Sequence, residues 1–119
     1  MTTTTTPRLK GARLLFAAIV VVHVAVLYLP DPPSVGVTTV PYGDVLVHVL
    51  VFGAVMWTGR LAQLPVGLLV VLLVVHAVLS ETVQHALLPG RGGELSDVVA
   101  DLAGVVLGLL LPVPRREPS

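Results

Sequence analysis

Cysteine is absent from this 119-residue chain, which excludes disulfides and thiolate metal sites and leaves the redox compartment undetermined. Charge is scarce as well. Charged side chains make up 12% of the residues, about half of the ~25% that a typical soluble domain carries. One modest core could form in water, but the chain lacks the polar residues to coat it. The charges cancel to zero net, which argues against nucleic acid as a partner. Neither Ser80 nor Ser96 sits in a Gly-x-Ser-x-Gly elbow, and no phosphate loop occurs. No tight His-x-x-x-His pair occurs either. His48 and His85 could join Glu81 and Asp101 as ligands, since imidazole and carboxylate suit zinc, but the spacing alone leads to no expected metal and no cofactor.

What is abundant is apolar. Hydrophobic residues make up 55% of the chain and the mean hydropathy is +0.94, so an integral membrane protein is expected. Four stretches approach the ~20 residues needed to cross ~30 Å of hydrocarbon. The first covers residues 11–29 and stops at Pro30-Asp31-Pro32-Pro33, which cannot continue a helix. The second covers 44–58 and is short, so its polar ends reach the interface. Gly59-Arg60 and Pro65 bracket the turn to the third, which covers 65–88. Ser96 is an N-cap candidate for the fourth, which runs to residue 113. The expected fold is all-α, an integral membrane bundle of four transmembrane helices. Residues 1–10 form a disordered amino-terminal segment with a low-complexity threonine run, 11–113 the bundle, and 114–119 a tail. A cleaved signal peptide is the alternative for the first span, but no small-x-small cleavage site follows it.

Loop charges orient the bundle. Four spans put Arg8, Lys10, Arg13, Arg60, Arg115 and Arg116 on one side and Arg91 alone on the other. This bias predicts a multi-pass protein of the cytoplasmic membrane with both termini cytoplasmic. Trp57 is an expected interfacial anchor at the inner side, and Tyr28 and Tyr42 at the outer.

Polar residues gather at one depth. His48 lies one turn inward of Asp44, Asp101 one turn inward of Asp97, and Glu81 about 9 Å from the outer end of its span. Glu81, Gln84 and His85 share a helix face by i, i+3, i+4 spacing. Asp97, Asp101, Gly104 and Gly108 form a stripe on the fourth helix, and Gly104-x-x-x-Gly108 allows close helix approach. These residues predict one polar pocket that opens outward, with Arg91 above it and coupled to Glu81. The candidates are Asp44, His48, Glu81, Gln84, Arg91, Asp97 and Asp101, with Gly104 and Gly108 for packing. His23 and His76 stand isolated among Val and Leu and are expected to be neutral packed side chains.

The run Glu81-x-x-Gln84, Pro89-Gly90-Arg91, Asp97 and a small-residue fourth helix resembles the VanZ-like membrane protein family. Asp44-x-x-x-His48 fits the same pattern, so the resemblance spans roughly residues 44–111. Two positions depart from it. The family usually has Lys where this chain has Val45, and often Asn where it has Asp101. If the family pocket binds an anion, these changes weaken the case here. The resemblance implies a small multi-span protein whose founding member is linked to low-level teicoplanin resistance. It supplies no reaction, and fold analogy alone cannot make one.

Three functions are carried forward. The polar pocket binds or modifies an amphiphile at the outer leaflet, either an envelope lipid intermediate or a lipoglycopeptide. Alternatively, the polar residues form an interhelical clamp in a structural or accessory subunit. A proton or ion carrier is the third, and the absence of Asp and Glu from the inner halves of all spans counts against it. The bilayer is the expected partner throughout, and oligomeric state is left open.

Overall fold

The computed structural model describes residues 7–28, 43–87 and 95–114. Among these the chain forms four helices and no strand: α1 (Pro7–Tyr28), α2 (Gly43–Leu61), α3 (Val66–Leu87) and α4 (Leu95–Leu110). At 1.5 Å per residue, α1 and α3 each span about 33 Å, while α4 reaches about 24 Å. Helices α1 and α3 are long and apolar enough to cross a membrane, and Val45–Leu61 is a shorter apolar helix.

The apolar surface of these helices faces outward. Only 11% of the most apolar window of α1 and 28% of that of α3 are buried. A core helix of a soluble protein would be mostly covered. Here Leu14, Val21, Val71, Leu72 and Val75 lie more than half exposed. A contiguous apolar surface of this kind on a soluble monomer would be exceptional.

Helix α2 is the hub. It packs against α1, α3 and α4, most extensively against α4. The core holds Leu27, Phe52, Val55, Met56, Leu69, Leu73, Ala77 and Val105. Along α3 the buried stripe is Leu69, Leu73, Ala77, Ser80, Glu81 and Gln84, so it turns from apolar to polar after Ala77. Local 3.6-residue periodicity thus carries the core and the polar end on one continuous face.

Three boundaries differ from the sequence expectation. Helix α1 already includes residues 7–10, whereas residues 1–6 and 115–119 lie outside the described residues. Helix α2 continues through Gly59 and Arg60 to Leu61. It ends when Gln63 takes φ 60°, with Leu64 N–H donating to Gly59 O and Gln63 N–H to Arg60 O. That 6→1 and 5→2 pair is a Schellman stop with Gln in the place glycine usually takes. Helix α4 ends at Leu110, three residues earlier than expected. Pro112 lacks the N–H that would reach Gly108 O. Arg60 fills the gap: its guanidinium donates to Gly108 O at 2.7 Å and to Leu111 O at 2.6 Å.

Candidate functional site

The closest helix pair positions the site. A methyl group at Gly104 would collide with the backbone of Val49 and Gly53 and with Phe52 Cβ, and one at Gly108 would lie 2.6 Å from Met56 Cβ and 2.7 Å from Gly53 O. Helices α2 and α4 therefore touch backbone to backbone, as small residues permit in a membrane. The counter-face is Gly53, which sequence spacing did not single out. Three residues before Gly104, Asp101 is carried directly against α2.

There it meets His48. Asp101 Oδ1 lies 2.6 Å from His48 Nδ1, and Asp101 is fully buried. Glu81 Oε1 from α3 lies 4.0 Å from the same nitrogen, and Asp97 Oδ2 lies 3.9 Å from His48 Nε2. His48 and Glu81 are buried and Asp97 is partly so. One ligand atom from each of His48, Glu81 and Asp97 lies within 4.8 Å of the other two. Two helices thus deliver three carboxylates, Glu81 from α3 and Asp97 and Asp101 from α4, around one imidazole on α2. Each key residue is five or six positions from the same end of its helix: His48 from Gly43, Glu81 from Leu87, Asp101 from Leu95.

The chemistry follows from hydrogen-bond capacity. The short Asp101 contact requires one proton shared between Asp101 Oδ1 and His48 Nδ1, because two acceptors cannot approach so closely without one. When Asp101 is ionised and His48 neutral, that proton sits on Nδ1 and Nε2 presents a lone pair toward Asp97. Asp101 Oδ2 is buried with no hydrogen-bond partner among the described residues. A site of this makeup can hold a proton, accept a hydrogen-bonding ligand or coordinate a cation.

Other expected residues play different parts. Gln84 is buried, and its amide donates to Leu27 O at 2.6 Å, satisfying a carbonyl in the last turn of α1. It braces α1 against α3. His85 is exposed, so it leaves the face shared by Glu81 and Gln84. Asp44 lies within the first turn of α2, but its side chain falls outside what is described, and Arg91 lies outside the described residues altogether. The expected Glu81–Arg91 pair therefore lies outside the described residues, and within them Glu81 approaches His48 at 4.0 Å.

His23 and His76 are not isolated. Their rings lie 5.0 Å apart, and Phe52 closes on His23 at 4.6 Å, edge to face. His23 Nδ1 donates to Val51 O at 3.2 Å, and Tyr28 O–H lies 3.3 Å from His76 Nδ1. Both Nε2 atoms are buried without a partner among the described residues. Sequence reasoning treated each histidine within its own helix, and the pairing exists only between helices. The available signal was that each is the one strongly polar side chain in the middle of an apolar helix.

At the opposite end, Trp57 is more than an interfacial side chain. Its indole N–H donates to Pro112 O at 3.0 Å, beside the two Arg60 bonds. Comparison with family models, with curated proteins and with solved structures finds no match to this chain.

Proposed function

We propose that this chain is a VanZ-like protein of the cytoplasmic membrane, crossing it four times with both termini inside. Its outer polar cluster binds, or performs acid–base chemistry on, an amphiphile reached from the outer leaflet, either an envelope lipid intermediate or a lipoglycopeptide antibiotic. His48 and Asp101 form the proton-sharing pair, and Glu81 and Asp97 supply further acceptor or acid–base groups.

One observation carries this reading: three carboxylates converge on a single buried imidazole within 4.0 Å. Purely structural polar contacts in membranes usually pair donor with acceptor. An excess of one charge sign at depth is costly and is by default a functional feature. The outward apolar faces of α1 and α3 support membrane insertion, and the basic residues at one side of the four helices support the orientation. The shorter α4 fits as a span because it packs against α2 over its glycine stripe.

The test is expression of Glu81→Gln in a bacterial host, with teicoplanin susceptibility measured at matched membrane levels of protein. Loss of protection with unchanged protein is the expected outcome. Full protection in Glu81→Gln would sink the pocket reading. A second reading is favoured by Gln84 and Arg60, each of which braces one helix on another's carbonyls. On that reading the cluster is an interhelical clamp of an accessory subunit, and the variant loses protein level and function together.

A further inference from the structure

We propose that His48, Glu81 and Asp97 bind one divalent transition-metal ion with zinc-like ligand preference, and that Asp101 is the outer partner that orients His48. The proposal concerns the same cluster as the function above and stands whether or not an amphiphile binds there.

The first argument is ligand geometry. One nitrogen and two carboxylate oxygens, each from a different helix, lie within 4.8 Å of one another. Ligands of a tetrahedral ion with bonds of ~2.1 Å sit about 3.4 Å apart. His48 Nε2 and Asp97 Oδ2 are already 3.9 Å apart. Glu81, which approaches His48 Nδ1 at 4.0 Å, and Asp97 would close the remainder through their own side-chain torsions.

The second argument is the tautomer. Asp101 Oδ1 lies 2.6 Å from His48 Nδ1, so an ionised Asp101 accepts the Nδ1 proton and leaves Nε2 free. A carboxylate on the far nitrogen of a metal-binding imidazole fixes ring orientation and makes the free nitrogen a better ligand. That free Nε2 is the atom that faces Asp97.

The third argument is charge. Three carboxylates and a neutral imidazole sum to −3 when all are ionised, and a divalent ion brings the group to −1. The imidazole selects against calcium and magnesium, which take oxygen ligands, and favours zinc and its neighbours. Three protein ligands leave a fourth position for water or one oxygen of an anionic head group.

The experiment uses the full-length protein in detergent, stripped with chelator and then titrated with zinc alone by calorimetry. Bound zinc is counted by elemental analysis. Cobalt(II) substitution gives an absorption signature of nitrogen–oxygen ligation. The expected result is one zinc per chain in the wild type. Asp101→Asn keeps a side chain of the same shape and is expected to weaken binding about 10–100-fold, the usual cost of losing an outer partner. His48→Ala is expected to abolish both binding and the cobalt spectrum, and exposed His85→Ala to change neither. No zinc on the wild-type protein overturns the site without reference to any variant. Undiminished zinc in His48→Ala also overturns it, and directs attention to His23 and His76. Zinc absent while Glu81-dependent teicoplanin protection persists overturns the metal and leaves the pocket standing. Zinc bound as expected with no protection phenotype supports the metal and overturns the envelope role.

Discussion

The two ends of the α2–α4 interface are held by opposite kinds of contact. At the Arg60 end, the inner one in the proposed orientation, Trp57 and Arg60 of α2 donate to Pro112, Gly108 and Leu111 carbonyls. Every acceptor there belongs to the end of a helix that has run out of its own donors. The arrangement is complete once made, because each bond satisfies a backbone group that needed one. At the outer end, His48 meets three carboxylates. Nothing about ending a helix requires this. Between the two ends, Gly53, Gly104 and Gly108 bring the backbones together without polar side chains. The inner end is explained by folding alone. The outer end gathers three carboxylates around one imidazole, which ending a helix does not explain, and that convergence marks the functional candidate.

The comparison can be broken hardest at the outer end. Replacing only His48 with Leu leaves the buried Asp101 without its donor beside Glu81 and Asp97. Removing one partner of a buried pair typically costs about 3–5 kcal/mol, whereas replacing both with apolar residues costs much less. The expected order of thermal stability in detergent is therefore wild type, then His48→Leu with Asp101→Leu together, then the single variants. His48→Leu is expected to be the least stable, because it leaves the fully buried Asp101 without the imidazole at 2.6 Å. If the two single effects simply add in the double variant, the pair is not coupled and the outer end is as ordinary as the inner.

A smaller effect is expected inside. Arg60→Met keeps the apolar stem and removes both bonds to the end of α4. Hydrogen bonds from a charged donor contribute about 1.5–3 kcal/mol each when shielded, and because Arg60 is only half-buried, water replaces part of this. A loss of about 1–2 kcal/mol is expected. His48 and Arg60 are twelve residues apart on α2, roughly 18 Å, so the Arg60→Met effect should add to that of His48→Leu within about 0.5 kcal/mol. Measurable coupling between them would mean that the two ends form one rigid unit.

Much of this architecture was legible in the residues. Apolar runs bounded by Pro30–Pro33 and Pro65 placed four helices, and the Gly104-x-x-x-Gly108 stripe placed Asp101 on a packing face. The depth of His48, Glu81 and Asp101 followed from counting residues along each helix. What stayed hidden was whatever depends on a second helix. Gly53 as the counter-face, Gln84 as a brace for α1, and the His23–His76 stack are relations between helices, and no local period encodes them. The grouping of His48, Glu81 and Asp97 is likewise a relation between three helices, and the sequence analysis gathered His48 and Glu81 with Asp101 and His85 instead. Helix ends were misjudged where a side chain from elsewhere decides them. The early stop of α4 needs Pro112 to leave Gly108 O orphaned and Arg60 to take it up, and only the first is visible locally.

The smallest expected effect tests the turn that fixes how α2 presents its two ends. Gln63 holds φ 60°, in the left-handed region, where a Cβ crowds the following carbonyl at a cost of about 1–2 kcal/mol. The residue is exposed, so its size is not needed to fill the core. Its place is dictated by the Schellman bonds from Leu64 N–H to Gly59 O and from Gln63 N–H to Arg60 O, which any residue's backbone can make. Glycine removes the steric cost but gives the unfolded chain more freedom, which returns about 0.5–1 kcal/mol. Gln63→Gly is therefore expected to raise stability by about 0.5–1 kcal/mol, read as an upward shift of the thermal midpoint in detergent. Asn, whose short polar side chain tolerates this conformation, should give part of the gain, and Val, branched at Cβ, should lower stability. The turn adjoins Arg60 and lies far from His48, so Gln63→Gly should leave the His48–Asp101 coupling unchanged. A glycine variant that destabilises the protein would show that the Gln63 side chain supplies a contact worth more than the strain it carries.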